Sequence, residues 1–472
     1  MKLINHYNKI TLNKHITYIL LLAFLQISPI ASQEGKSKWK YLIENNSLKN
    51  FKQLNGDAHF KIENEELIGI SKLNTPNSFL ATKARYKDFI LEFEVWVDYG
   101  LNSGVQFRSN SLAEYNNGRV HGYQCEIETS ARKWAGGIYD EARRGWLYPL
   151  SRNPAGQNAF INGTWNRYRI EAIDDEILTY VNGIQTAHLI DNMTAEGFIA
   201  FQVHSISDPK DKGKKVRWRK IRILTTDLEE NRMVSSNKAP QISYLDGKLT
   251  AEEIRLGYRM LWDGKTTNGW RGAKKDEFPQ KGWVIEKGIL SVEASNGEES
   301  ANGGDIVTLE TFSNFELSID FLLTEGANSG IKYFVDTELN KQSGSAIGLE
   351  FQLLDDQKHP DANMGKNGNR TVGSLYDLIR AENRASAGRG KNFKGINQWN
   401  NARIVVKGGH VEHWLNHIKV VEYDRFSQVF RALVEKSKYE KWSQFGQLPE
   451  GLILLQDHGD RVSFKNIKIR EY

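Results

Sequence analysis

The chain has 472 residues, a length that ordinarily holds two or three domains. Its 63 basic and 58 acidic residues leave a net charge of +5 without long runs, which excludes the clustered basic face a nucleic-acid binder needs. Hydrophobic residues make up 39% and charged residues 26%, an ordinary soluble composition, and the single cysteine, Cys125, excludes an internal disulfide.

Lys2, Lys9 and Lys14 precede the apolar stretch ITYILLLAFLQISPIAS at 16–32, which ends in small residues. Basic, then apolar, then small is the pattern of a cleaved export signal, so residues 1–32 are expected to be removed and the mature chain to be periplasmic or secreted. Gln26 and Pro29 interrupt a stretch already short for spanning, and no later run is long enough to cross a bilayer, so no membrane span is expected after cleavage.

Beyond the leader, every second residue is apolar in FILEFEVWV (89–97), GVQFRS (104–109), YRIEAI (168–173), ILTYVNG (177–183), FELSIDFLL (315–323) and RIVVKGG (403–409). That period of two predicts half-buried strands, and the 40 glycines, many of them between such runs, supply the turns. Helical periodicity is rare. TAEEIRLGYRML (250–261) carries Thr250 as a cap with Glu253 three residues on, and RALVEKSKYEKW (431–442) is a second candidate. Residues 226–249 are polar and unperiodic and read as a linker.

The motifs of the first half return in the second. LNSGVQFRS (101–109) is answered by NSGIKYF (328–334), WNRYRIEA (165–172) by WNNARIVV (399–406), and GFIAFQVHS (197–205) by GLILLQDHG (451–459). The spacing holds too: 22 positions separate Asn102 from Gln124 and Asn328 from Glu350, and 17 separate Trp165 from Asn182 and Trp399 from Asn416. From Asn182 to Gln202 are 20 positions but from Asn416 to Gln456 are 40, so the second copy carries an insertion, around 424–446. A repeat this long means tandem globular domains, at 35–225 and 250–472, each expected to be an all-β sandwich.

Strand alternation puts Glu350, Gln352 and Leu354 on one face and Phe351 and Leu353 on the other; Leu454, Gln456 and His458 likewise share a face. Polar side chains at period two inside apolar strands are costly if buried unpaired, so they either bond each other or line a solvent-filled concavity. In the first copy Gln124 stands where Glu350 does and Glu126 where Gln352 does. Tyr139 matches Tyr376, Gln202 and His204 match Gln456 and His458, and Val203 replaces Asp457. Arg143, Arg144, Trp134 and Trp146 flank the Tyr139 loop, a combination that suits stacking on sugar rings and equally suits a core.

In this order, LWDGKTTNGW, NSGIKYF, LEFQLLDDQKHPD, GSLYDL, QWNNARIVVKGGHVEHWLN and LLQDHGDRVSFKNIKIRE resemble the 3-keto-disaccharide hydrolase, or 3-keto-glucoside 1,2-lyase/hydratase, domain family over nearly all of 250–472. Residues 40–225 resemble it more loosely. The resemblance implies a concanavalin A-like (laminin G-like) β-sandwich and cleavage of a glycoside or oligosaccharide whose sugar is a ketone at C3. Such chemistry needs a base for the acidified C2 hydrogen, donors or a cation at the enolate oxygen, and an acid at the leaving group. Glu350, His458, Asp355 and Tyr376 are the catalytic candidates. Gln352, Gln456 and His359, with Glu126, Tyr139, Arg143, Gln202, His204, Trp134 and Trp146 in the first copy, are the candidates for holding substrate. A divalent cation held by two or three of Glu350, Asp355, His359 and His458 is an alternative electrophile, its identity open. A rival reading is a non-catalytic glycan-binding sandwich, which has no need of an ionisable set on neighbouring polar strand faces.

Overall fold

The computed structural model describes residues 39–342, 344–384 and 389–472; the leader predicted at 1–32 lies outside them. Among these residues no helix is long and apolar enough to cross a membrane.

Each half is an all-β sandwich of two stacked sheets, and the two follow one another along the chain. In the first, a nine-stranded sheet is centred on Phe89–Val97, flanked by Asn166–Ile173 and Lys215–Leu224. It packs on a seven-stranded sheet running Gly145–Tyr148, Ile138–Glu141, His121–Glu128, Asn102–Asn110, Phe198–Val203, Ser78–Thr82, Phe51–Asn55. In the second, an eight-stranded sheet centred on Phe315–Leu323 packs on a five-stranded one running Trp270–Gly272, Ile306–Thr308, Leu452–Leu455, Asn328–Asp336, Ile347–Leu354. The strands alternate as the sequence predicts: Leu349, Phe351 and Leu353 point into the core between the sheets, while Glu350 and Gln352 take the other face.

The recurring Trp-Asn motif is a structural brace. Asn182 accepts the N–H of Arg167 and donates to Asn166 Oδ1 at 2.8 Å each; Asn416 does the same with Asn401 and Asn400 at 2.8 and 2.7 Å. The shared 17-residue interval therefore fixes a hairpin turn in both copies rather than a reactive group.

The helices are shorter than their patterns. Thr250 and Glu253 form the expected capping box, but the helix ends at Arg255 because Gly257, at φ +85°, turns the chain into the strand Arg259–Met260. In the insertion the helix is Gln428–Glu435, capped by Ser427, and 437–442 continue as turns. Residues 226–249 are not strandless: Gln241–Ser243 adds to the first sandwich in parallel with Ile184–Ile190. The two halves also share a packed seam. Ile418 of the second is buried in the core of the first, the Ser151 hydroxyl donates to the His417 carbonyl at 2.5 Å, and the Tyr244 hydroxyl lies 3.1 Å from His417 Nε2.

Candidate functional site

The repeated Asn-Ser-Gly builds the same corner of the seven-stranded and the five-stranded sheet. The Ser hydroxyl, fully buried, donates to the carbonyl of the Gln on the neighbouring strand: Ser103 to Gln202 at 2.6 Å and Ser329 to Gln456 at 2.8 Å. The Gly leaves room for a side chain from the strand beside it. A Cβ on Gly104 would lie 2.4 Å from the Gln124 side chain, and one on Gly330 would lie 2.3 Å from Glu350 Oε1. The Asn amide then meets the polar row: Asn102 Nδ2 donates to Glu126 Oε1 at 2.5 Å, and Asn328 lies 3.3 Å from His458 Nε2 and 3.0 Å from the Gln352 amide.

In the second copy Glu350, Gln352, Tyr376, Gln456 and His458 line one cavity of about 250 Å³. The insertion supplies part of its wall through Lys438, Tyr439 and Trp442. Glu350 is 5% exposed, and burial holds its carboxyl above the usual carboxylate range against the pull of Lys332, whose Nζ is 3.8 Å away on the paired strand. Lys332 is itself anchored by Ser345 and the Ala346 carbonyl. The Gln352 amide is within 3.0 Å of the Glu350 carboxylate. Gln456 lines the cavity with its amide oxygen buried and unpaired by protein, an arrangement that calls for a ligand hydroxyl or water as donor.

Other candidates fall elsewhere. Asp355 accepts the N–H groups of Gly326 and Gln357 at 2.8 and 3.1 Å; it organises a turn and does not line the cavity. Tyr376 lines it, but its hydroxyl proton is committed to Asp361 Oδ2 at 2.8 Å. His359 lies outside the lining, its ring centre 6.1 Å from that of His458. Of the four cation candidates two come together: His359 and His458 gather with Asp460, their ligand atoms within 4.8 Å of one another, in a group that includes neither Asp355 nor Glu350. His359 Nδ1 accepts the Asp361 N–H at 3.2 Å, so the neutral ring carries its hydrogen on Nε2 and, as oriented, offers no second lone pair. With His359 so committed, only His458 and Asp460 of that group remain, too few to hold a resident cation.

The first copy opens a larger cavity, about 1230 Å³, lined by Asn102, Gln124, Glu126, Tyr139, Trp146 and His204 among others. Glu126 is 3% exposed, and burial pushes its carboxyl up to about 7 against the opposing charge of Arg132. Arg132 bonds Glu128 at 2.7 Å and approaches Glu126 at 3.4 Å, its guanidinium 4.7 and 4.6 Å from the ring centres of Trp134 and Trp146. Of the two tryptophans, Trp146 is half-buried at the cavity, whereas Trp134 is a core residue. Arg143 is tied to Asp140 and Thr194 and does not line the cavity; Gln202 is fully buried and does not line it either.

Both copies match one family model, the 3-keto-alpha-glucoside-1,2-lyase-like domain, over residues 38–224 and 257–470. The chain belongs to this family. A Bacteroides thetaiotaomicron protein named 3-keto-disaccharide hydrolase is 38% identical over 234 residues, covering 45% of this chain and 78% of the relative. A solved structure of a candidate glycosyl hydrolase from Parabacteroides distasonis is 29% identical and covers 48% of this chain and 100% of that one, with a TM-score of 0.41. A second from the same species is 25% identical over 43% of this chain and 100% of that one, with a TM-score of 0.31.

Within this 3-keto-alpha-glucoside-1,2-lyase-like chain, motif reading missed Lys332 and Arg132, the cations that face Glu350 and Glu126. Lys332 was legible in principle: it sits two residues beyond Gly330 on the polar face of NSGIKYF. Arg132 lies in a loop, where no periodicity marks it.

Proposed function

We propose that the protein is an exported carbohydrate-active enzyme that cleaves 3-keto-glycosides by C2 proton abstraction and 1,2-elimination, with water adding back to give net hydrolysis. The observation that carries this reading is the convergence of Glu350, Lys332, Gln456 and His458 on one walled cavity. Glu350, buried and raised, suits the base that takes the C2 hydrogen. The Gln456 amide suits the oxygen of the ketone as it gains enolate charge, and His458 suits the proton donor to the departing C1 oxygen. The Tyr376 N–H donates to the Glu350 carbonyl at 3.1 Å, and the Gln352 amide lies 3.0 Å from the Glu350 carboxylate. The relative named 3-keto-disaccharide hydrolase supports a sugar substrate, and the leader at 1–32 supports export.

The test is incubation with a 3-keto-disaccharide and its unoxidised parent, each with and without chelator. Cleavage of the keto form alone is expected, unchanged by chelator. Binding of both sugars without turnover of either would leave a glycan-binding sandwich as the function.

Gly330→Ala gives a second check. Its methyl would take the space of the Glu350 carboxylate, whose flexible end moves at small cost in stability. Turnover is expected to fall ~10²-fold, the scale of an ångström-level misplacement, with little change in melting temperature. A fully active variant would show that the carboxylate position does not matter.

A further inference from the structure

The two copies have exchanged Glu and Gln along one strand. In the second, Glu350 precedes Gln352; in the first, Gln124 precedes Glu126, and the pairs sit at equivalent register, Glu350 opposite Lys332 and Gln124 opposite Gln106. Side chains two apart on a strand share a face, so the exchange moves the carboxylate about 7 Å along the floor of the cavity. The move is supported by its surroundings. Ser109 donates to Gln106 at 2.8 Å, Gln106 to Gln124 at 2.7 Å, and Gln124 to Glu126 at 3.0 Å, while Asn102 and Arg132 hold the other carboxylate oxygen. Gln106 replaces the lysine of the second copy, and Arg132 supplies the cation from the opposite end of the row.

The rest of the first site is complete for proton transfer. The His204 Nδ1 donates to the Ser205 carbonyl at 2.7 Å, which can only accept, so Nε2 is left with its lone pair. Tyr139 lies beside Gln124 as Tyr376 lies beside Glu350. The cavity has no counterpart of the insertion that walls the second site, and Asn116 and Asn117 extend its lining beside Asn55 and Asn77, whose amides bond the loop backbone. Amides alternate donor and acceptor and match sugar hydroxyls, and Trp146, with Arg132 over its ring, lines the cavity beside them.

We propose that the first copy is a second, non-equivalent active site, in which Glu126 is the base and the substrate is a 3-keto-oligosaccharide longer than the second site admits. This rests on the keto-glycoside reading above. The C2 proton passes to the Glu126 carboxylate and the C2 electron pair flows to the ketone oxygen. The pair then returns to form C1=C2 as the C1–O bond breaks, and the leaving oxygen takes a proton from Tyr139. Addition of water across the double bond restores the sugar, so no oxidant or reductant is needed. A base poised near neutrality is suited to this step, since it is half-ionised where proton transfer is most nearly balanced.

The experiment uses the full chain with Glu126→Gln and Glu350→Gln, assayed on a 3-keto-disaccharide and a 3-keto-tetrasaccharide. The ratio of tetrasaccharide to disaccharide turnover is expected to fall at least ~10-fold in Glu126→Gln and to rise in Glu350→Gln. The acidic limb of the tetrasaccharide pH profile, near pH 7 in the parent, should vanish with Glu126. An unchanged ratio in both variants overturns two-site division. If the parent cleaves neither substrate, the keto-glycoside reading itself has failed. Calorimetric titration with the unoxidised tetrasaccharide then decides the site: binding weakened at least ~10-fold by Trp146→Ala supports a chain-binding first copy, and unaltered or absent binding overturns it.

Discussion

Replacing Glu350 by Gln is expected to lower turnover of a 3-keto-disaccharide by ~10²–10⁴-fold, the range for loss of a positioned general base. The substitution preserves shape and most hydrogen bonding, so it isolates proton acceptance from packing. Glu350 lies on a rigid strand, its carboxylate held over Gly330 by sterics and beside Lys332 by charge, and neither contact depends on substrate. The amide cannot take a proton at any working pH, so raising the pH should not rescue the variant. Folding should survive, because Lys332 keeps its hydrogen bonds to Ser345 and the Ala346 carbonyl and has Asp305 as a remaining counter-charge. Circular dichroism matching the parent, with turnover lost, is the expected pair of results. A variant retaining more than about a tenth of parental turnover would move the base elsewhere, His458 first.

How far this could be read from the sequence depends on the range of the interactions concerned. Phe89–Val97 and Phe315–Leu323 were legible to the residue because alternation is a local property of a strand with one face in a core. The polar row of Glu350, Gln352, Gln456 and His458 was legible for the same reason, since period two names the face. What alternation cannot name is the neighbouring strand. The pairing of Lys332 with Glu350 and of Gln241–Ser243 with Ile184–Ile190 arises from tertiary register. Loops were read least well: Asp355 lies in a turn whose backbone N–H groups it satisfies, and Trp134, next to arginines in sequence, is enclosed by the core. The repeat itself carried information that neither copy held alone. Asn-Ser-Gly recurs because a buried Ser must meet a carbonyl and a carboxylate or amide must pass over a Gly, twice.

Glu316→Ala is expected to be the most destabilising substitution at the seam between the copies. Glu316 is fully buried on the central strand Phe315–Leu323 and accepts from Arg403, from Arg470 at 2.6 Å and from the Tyr472 hydroxyl at 2.7 Å. Despite burial, these cations hold its carboxyl well below the usual carboxylate range. Arg152 of the first copy lies within electrostatic range of the same carboxylate and of Arg403. Without Glu316, Arg403 and Arg152 would face each other uncompensated. Breaking a buried pair from one side costs roughly 3–5 kcal/mol, which for domains of this size lowers the melting temperature by roughly 6–20 °C. The sign with pH follows from the depressed value: the contribution is whole above the ordinary carboxylate range and is lost as pH falls below it, so parent and variant should converge in acid. Thermal unfolding at neutral and acidic pH measures both effects. Replacing Glu316 by Leu together with Arg403 by Met, which removes charge from both sides, should recover much of the loss. A single Glu316→Ala shift under about 2 °C at neutral pH would mean that water or rearranged partners compensate the arginines, and that the seam is held by Ile418 and its apolar neighbours instead.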